Sequence, residues 1–198
     1  VAMGTVAGRY ITGNENTCFG NNAGGAITSG SNNVCIGYNA GDDALAGVTT
    51  SSNQIILGNN SSSNFECKVS LTSGSDLRDK TDIENLPDNA GLTFVKQMRP
   101  VTFVWDNRAD YYEYTKDEQN LPVLKTKHNR DHSKKGTDKQ VGFIAQEIKE
   151  IEKSIGWTED HVVNTKNEES YKLMYDQLIP ILVKAIQELE AEVQALKG

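Results

Sequence analysis

Ser75 and Lys80 are the residues in this 198-residue chain whose types and spacing could do covalent chemistry. They lie five positions apart in the polar run TSGSDLRDKTD from Thr72, with Asp76 and Arg78 between them. A serine hydroxyl is a poor nucleophile near neutral pH and needs a base beside it. A lysine ammonium has no lone pair, so it can be that base only where burial or nearby positive charge lowers its pKa. Five residues let the two side chains meet across a turn. Taken alone, such a pair in a polar turn is ordinary surface, and Arg78 is as readily a salt-bridge partner of Asp76 or Asp79.

The rest of the chain offers less chemistry. Three cysteines make no disulfide framework, and Cys18 and Cys35 lack the nearby His or Cys that a metal site needs, so no metal or cofactor is expected. Asn-rich turns satisfy their own backbone groups more readily than they bind a cation. The net charge of -7 does not suit a nucleic-acid binder, and the basic stretch Lys125–Lys139 has no aromatic residue, so it reads as a solvated loop. Solitary acidic residues do not make the carboxylate pair of a glycoside hydrolase. No run approaches the length of a membrane span and no segment resembles a signal peptide, so a soluble protein made in the cytoplasm is expected, without membrane insertion.

Composition changes sharply near residue 65. Upstream, Arg9, Glu15, Asp42 and Asp43 are the only charged residues among the first 60, and Gly, Asn, Ser and Thr dominate. A repeat organises this region: NTCFGNNAG from Asn16, NVCIGYNAG from Asn33 and the degraded QIILGNN from Gln54. Their glycines, Gly20, Gly37 and Gly58, are 17 and 21 residues apart. Each copy sets a three-residue strand before a Gly-Asn turn, too short to stand unless copies stack. A β-solenoid follows, slender enough to favour several chains wrapping together. The alignment sets Cys18 over Cys35 over Ile56 as interior fillers.

Past Phe65 the pattern is that of an α+β domain. Phe65–Leu71 reads as a short strand, and Pro87–Asp88 as the start of a helix ending near Met98. Val101, Phe103 and Trp105 alternate as a strand whose aromatic members face a core. The stretch from Tyr114 to Gln140 reads as a hairpin or long loop around Leu121–Leu124. VGFIAQEIKEI from Val141 reads as a strand passing into a helix striped by Ile144, Ile148 and Ile151, with Gly142 allowing close packing or an unusual turn and Gln146 and Glu147 as helix-surface or packing residues. Tyr171–Tyr175 is a further short strand or turn. Last, Ile179, Leu182, Ile186, Leu189, Val193 and Leu196 make a heptad seam on a helix over about 176–197, with Pro180 tolerated in its first turn. Such a seam needs a facing helix. Its mixture of isoleucine and leucine leaves dimer and trimer open, and part of the helix can pack on its own domain.

Four blocks in order carry a resemblance: SDLRDKTDI from Ser75, RPVTFVW from Arg99, GFIAQEI from Gly142 and YDQLIPILVKAIQELEAE from Tyr175. Together they resemble the endosialidase-type intramolecular chaperone, the autoprocessing C-terminal domain of phage tailspikes, tail fibres and neck appendages. Asp79 departs from that pattern, which commonly has an apolar residue there. The first region looks like the repeated head modules of trimeric fibres and adhesins, a shorter match. The resemblance implies a partition into a β-solenoid fibre segment at 1–64, a connector and cleavage junction at 65–74, and a chaperone domain at 75–198 ending in a coiled-coil-like helix.

It also implies a homotrimer whose chaperone part sets three chains in register and then leaves by a single-turnover cut between Gly74 and Ser75. Ser75 and Lys80 would be the catalytic dyad of this self-cleaving serine endopeptidase, with Arg78 and Asp76 in support. Assembly would take place in the host cytoplasm. The mature fibre would end in the virion tail or appendage, where a host-surface receptor or glycan would be its partner. The competing reading is a purely structural trimeric adhesin stalk that never cuts itself.

Overall fold

The computed structural model describes residues 1–42, 49–116, 122–168 and 170–198. In chain order the strands are β1 (Ala2–Met3), β2 (Thr17–Phe19), β3 (Val34–Ile36), β4 (Ile55–Leu57), β5 (Val101–Phe103), β6 (Tyr112–Lys116), β7 (Pro122–Lys127), β8 (Gln140–Gly142), β9 (Val163–Asn164) and β10 (Lys172–Leu173). The α-helices are α1 (Leu92–Gln97), α2 (Ala145–Ser154) and α3 (Leu178–Lys197). Two compact units result: Val1–Glu66 with Val104–Asp138, and Cys67–Phe103 with Lys139–Gly198. Among the described residues no helix is long and apolar enough to cross a membrane.

In the first unit the repeat forms a parallel stack, ordered β1-β2-β3-β4. Cys18 pairs with Cys35 and Cys35 with Ile56, the register that the repeat alignment sets. The sequence reading did not reach the extra rung β1, whose Ala2 lies beside Cys18. Strands β2, β3 and β4 turn their middle residues inward, and Cys18 and Cys35 are buried with Ala23, Ile27 and Ala40. Burial pushes the Cys35 thiol up to about 11, as an apolar filler's would be.

Strands this short hold because other groups span the same gap. Asn16 Oδ1 accepts from the Asn33 amide at 3.0 Å, and Asn33 Oδ1 accepts from Gln54 at 3.0 Å. The two side-chain amides donate to Gly30 and Ser51 carbonyls at 2.7 and 2.9 Å. The asparagines therefore bond between rungs, where the sequence alone suggested bonding within turns. Gly20, at φ +133, has no room for a side chain: a Cβ there would stand 2.6 Å from the Gly37 carbonyl oxygen of the next rung.

The other part of this unit is the antiparallel hairpin β6–β7, with a register shift between Glu113 and Tyr114. Leu121, expected in this piece, lies outside the described residues. The Asp106 carboxylate ties the hairpin's base, taking the Tyr111 hydroxyl and His132 Nδ1 at 2.7 Å each. Trp105 does not extend the strand into a core: β5 stops at Phe103 and the Trp105 ring is exposed. Its carbonyl turns instead to accept from Gly136 at 2.7 Å.

The second unit has its core at Phe94, Ile148, Ile151, Val162, Val163, Leu178 and Ile181. β5 pairs antiparallel with β8, Val101 opposite Gly142. A Cβ on Gly142 would lie 2.5 Å from the Tyr175 hydroxyl, which explains the glycine. Helix α2 buries Ile148 and Ile151, but Ile144 sits at its N-cap, partly exposed, so the stripe begins a turn later than its spacing suggests. The helix expected from Pro87 is interrupted. A 3-10 turn at Asp88–Ala90 gives way at Gly91, where a Cβ would stand 2.3 Å from Glu188 Oε2, and that carboxylate caps α1 by accepting from Leu92 at 2.6 Å. Phe65–Leu71 is no strand here: it is open chain with its apolar side chains in water.

Candidate processing site

Asp76 begins the site. Its backbone is extended at φ -68, ψ 134, and its carboxylate accepts from the Arg78 amide at 2.9 Å, capping the 3-10 turn Leu77–Asp79. The Arg78 guanidinium closes a fork on the same carboxylate at 3.0 and 2.6 Å. That contact holds the Asp76 carboxyl below the usual carboxylate range. Arg78 is thus a brace for the turn, and its charge is already matched.

The turn ends at Lys80, whose amide donates to the Leu77 carbonyl at 3.2 Å. This reversal returns the lysine to the start of the segment, where Nζ donates to Ser75 Oγ at 2.7 Å. The expected dyad is therefore within bonding reach. A Cβ placed on Gly74 would meet no atom within 4 Å, so the bond preceding Ser75 is open to approach. Residues 75–85 are exposed throughout. As the bond stands, Lys80 is the donor, whereas general-base catalysis needs it to accept. Asp79 points to solvent inside the turn, where a charge is accommodated without a partner.

The other predicted site residues lie on α3, which has two apolar faces. Leu178, Ile181 and Ala185 are buried against the helix's own unit, and Glu188 continues that side through the α1 cap. The seam residues Ile179, Leu182, Ile186, Leu189, Val193 and Leu196 lie exposed, from 38% at Val193 to 87% at Leu196. Sequence reasoning found the exposed face and left the anchoring residues unnamed.

It also missed a buried polar centre. Glu152, fully buried, accepts from the amides of Val162 and Val163 at 2.5 and 3.2 Å and from Lys149 Nζ at 3.0 Å. Lys149 also donates to Asp160 at 3.0 Å. Burial disfavours the ammonium, but the Glu152 and Asp160 hydrogen bonds outweigh it and raise its pKa. The available signal was a glutamate at the helical position next to Ile148 and Ile151. Glu147, read as a helix-surface or packing residue, forms an ion pair with Arg99 that joins two of the family-like blocks. Among the described residues no cluster of three or more His, Cys, Asp or Glu side chains could hold a metal ion.

Fold and site define a small α+β unit that presents a serine–lysine pair on an exposed turn and an unpaired helical seam. Residues 75–162 match the family described as chaperone of endosialidase, classed among the peptidases, and this part of the chain is an endosialidase-type intramolecular chaperone domain. The match opens on Ser75 itself and stops before α3. No curated protein and no solved structure matches the chain.

Proposed function

We propose that this chain belongs to a homotrimeric phage fibre or appendage protein, in which residues 75–198 align three chains and then leave by cutting between Gly74 and Ser75. The observation that carries the cutting step is the 2.7 Å contact of Lys80 Nζ with Ser75 Oγ beside an unobstructed Gly74. Ser75 Oγ would attack the Gly74 carbonyl carbon and pass its proton to Lys80. The amide nitrogen would then take a proton as the C–N bond breaks, leaving an ester that water hydrolyses. Attack within one chain is an N-to-O acyl shift, and attack from a neighbouring chain gives an acyl intermediate in trans. The pair is exposed in the single chain, and enclosure by the other two chains would exclude water from it, which ties the cut to assembly.

Trimerisation draws support from two exposed apolar surfaces, each within its own unit. One is the α3 seam. The other is the outer column Met3, Phe19, Ile36 and Leu57, adjacent in register down the parallel stack and 61%, 55%, 43% and 51% exposed. A β-solenoid fibre with that column facing its copies would cover it. Its similar short repeats invite register slips, and pre-trimerised ends would raise effective concentration and fix stagger.

The test pairs native mass with intact mass after prolonged incubation. The proposal expects a trimer and two fragments parted at Gly74–Ser75, with Ser75→Ala remaining trimeric and whole. An intact wild-type chain in a stable trimer would support the structural stalk instead. Cleavage of Ser75→Ala at the same bond would remove this mechanism.

A further inference from the structure

The segment Phe65–Leu71 reads Phe-Glu-Cys-Lys-Val-Ser-Leu, apolar at each odd position and polar at each even one. Strict alternation over such a length is the pattern of a strand with one covered face. In the single chain nothing covers it. Phe65, Val69 and Leu71 are 64%, 74% and 80% exposed, and Cys67 is exposed with them. Among the described residues, no backbone amide from 63 to 75 donates to a backbone acceptor. The Cys67 thiol reaches only back onto its own segment, meeting the Val69 carbonyl at 3.0 Å across a bend.

A stretch patterned as a strand, with its backbone amides and its apolar face left to water, lacks its partner. The polar face says what that partner is. Glu66 and Lys68 stand one side-chain pair apart on the same side, so the face complements itself: a copy shifted by that step sets Glu66 beside Lys68. Like copies without the shift would set like charges together. The apolar face is also self-matching, since three identical rows can close around a three-fold axis with no second type of surface.

Resting on the trimer proposed above, we infer that residues 65–71 become a strand only between chains, three copies interwinding with Phe65, Cys67, Val69 and Leu71 toward the common axis. Glu66, Lys68 and Ser70 face solvent. The bend at Lys68–Val69 straightens as the copies meet. Because the segment lies upstream of Gly74, it stays with the N-terminal product. It is a clasp that keeps the three fibre ends together once the chaperone has gone, and it accounts for an apolar strand so close to a bond that must be accessible.

Cysteine scanning in the full chain tests this. The background is Cys67→Ser, with Cys18 and Cys35 buried out of reach. Single substitutions Phe65→Cys, Glu66→Cys, Lys68→Cys, Val69→Cys, Ser70→Cys and Leu71→Cys are added, and the wild-type chain reports Cys67. Copper–phenanthroline takes one electron from each of two thiols, whose protons go to buffer, and joins them as a disulfide. That requires Cα atoms within about 7 Å, which residues facing a shared axis satisfy and outward ones do not. Non-reducing denaturing gels read covalent dimers, and native mass is taken for each variant.

The expected result is a period-two pattern, with dimer yields at 65, 67, 69 and 71 several-fold above those at 66, 68 and 70. Dimers are the limit, because the third chain of each trimer has no thiol left to meet. An odd-position variant that fails to assemble, while the even-position ones assemble, also supports inward placement. Flat or absent cross-linking in variants that are trimeric overturns the clasp and leaves the trimer standing. A monomeric wild-type chain overturns both.

Discussion

Replacing Glu152 with Gln tests whether the buried carboxylate holds the chaperone domain together. The amide keeps the shape of the side chain, and one oxygen can still accept from Val162 and Val163. The other position becomes an NH2 facing the Lys149 ammonium, which stood 3.0 Å from Glu152 Oε2. Breaking a buried ion pair from one side costs about 3–5 kcal/mol. Lys149 keeps the Glu159 carbonyl and the Asp160 carboxylate, at 2.9 and 3.0 Å, so the lower end applies, about 3 kcal/mol. Adding Lys149→Met removes the stranded charge and should recover about 2 kcal/mol of that loss. The assay is urea unfolding in a Ser75→Ala background, so that one covalent species is present, at fixed protein concentration because assembly shifts apparent stability. Trp157, whose ring lies 5.9 Å from Phe94, reports the core by fluorescence. A loss under about 1 kcal/mol for Glu152→Gln, or a double variant no more stable than the single one, would refute the reasoning.

Lys80→Ala should slow or stop the cut, and Lys80→Arg should not restore it, because a guanidinium does not give up its proton at working pH; intact mass over time reads both. Leu182→Asp with Leu189→Asp should yield a folded chain that does not trimerise, seen as native mass falling to one chain with far-ultraviolet circular dichroism retained, since neither residue belongs to the buried side of α3. Asp106 should make the hairpin base acid-sensitive. The Tyr111 hydroxyl foremost, and His132 and Arg130 with it, hold its carboxyl below the ordinary 3.8. A depressed folded value means the stabilisation is complete above 3.8 and lost as pH falls through the folded value. Hydrogen exchange at Lys134, whose amide donates to Tyr111 Oη at 2.8 Å, should lose protection in acid, and Asp106→Asn should remove that dependence.

How much was legible depended on whether a partner lay nearby in sequence. The stack register was, because Cys18, Cys35 and Ile56 repeat with their flanking turns, and period reveals what is stacked on what. The exposed apolar row on α3 was legible for the same reason. The Ser75–Lys80 contact could be anticipated because a single turn of five residues joins them. What stayed hidden was non-local. Gly91 breaks the expected helix for the sake of Glu188, nearly a hundred residues later, and Trp105 leaves the strand pattern because its carbonyl is taken by Gly136. Phe65–Leu71 carries the alternation of a strand and has none in the single chain, since alternation records that a face is covered and not by which molecule. Ile144 failed as a core residue because a helix stripe says nothing of where the first turn begins.

Successive rungs of the stack spend 16, 17 and 21 residues, each to advance by a single strand spacing. That spacing is about 4.8 Å, whereas 17 residues wound as an α-helix would cover about 25 Å. Such a module is a poor way to gain reach. It is instead a way to display much side chain per unit of length, and the strands stay in step whatever the residue count between them. The four residues that separate a spacing of 17 from one of 21 leave Cys35 beside Ile56 all the same. The length of chain between rungs can therefore change while the step from strand to strand stays the same.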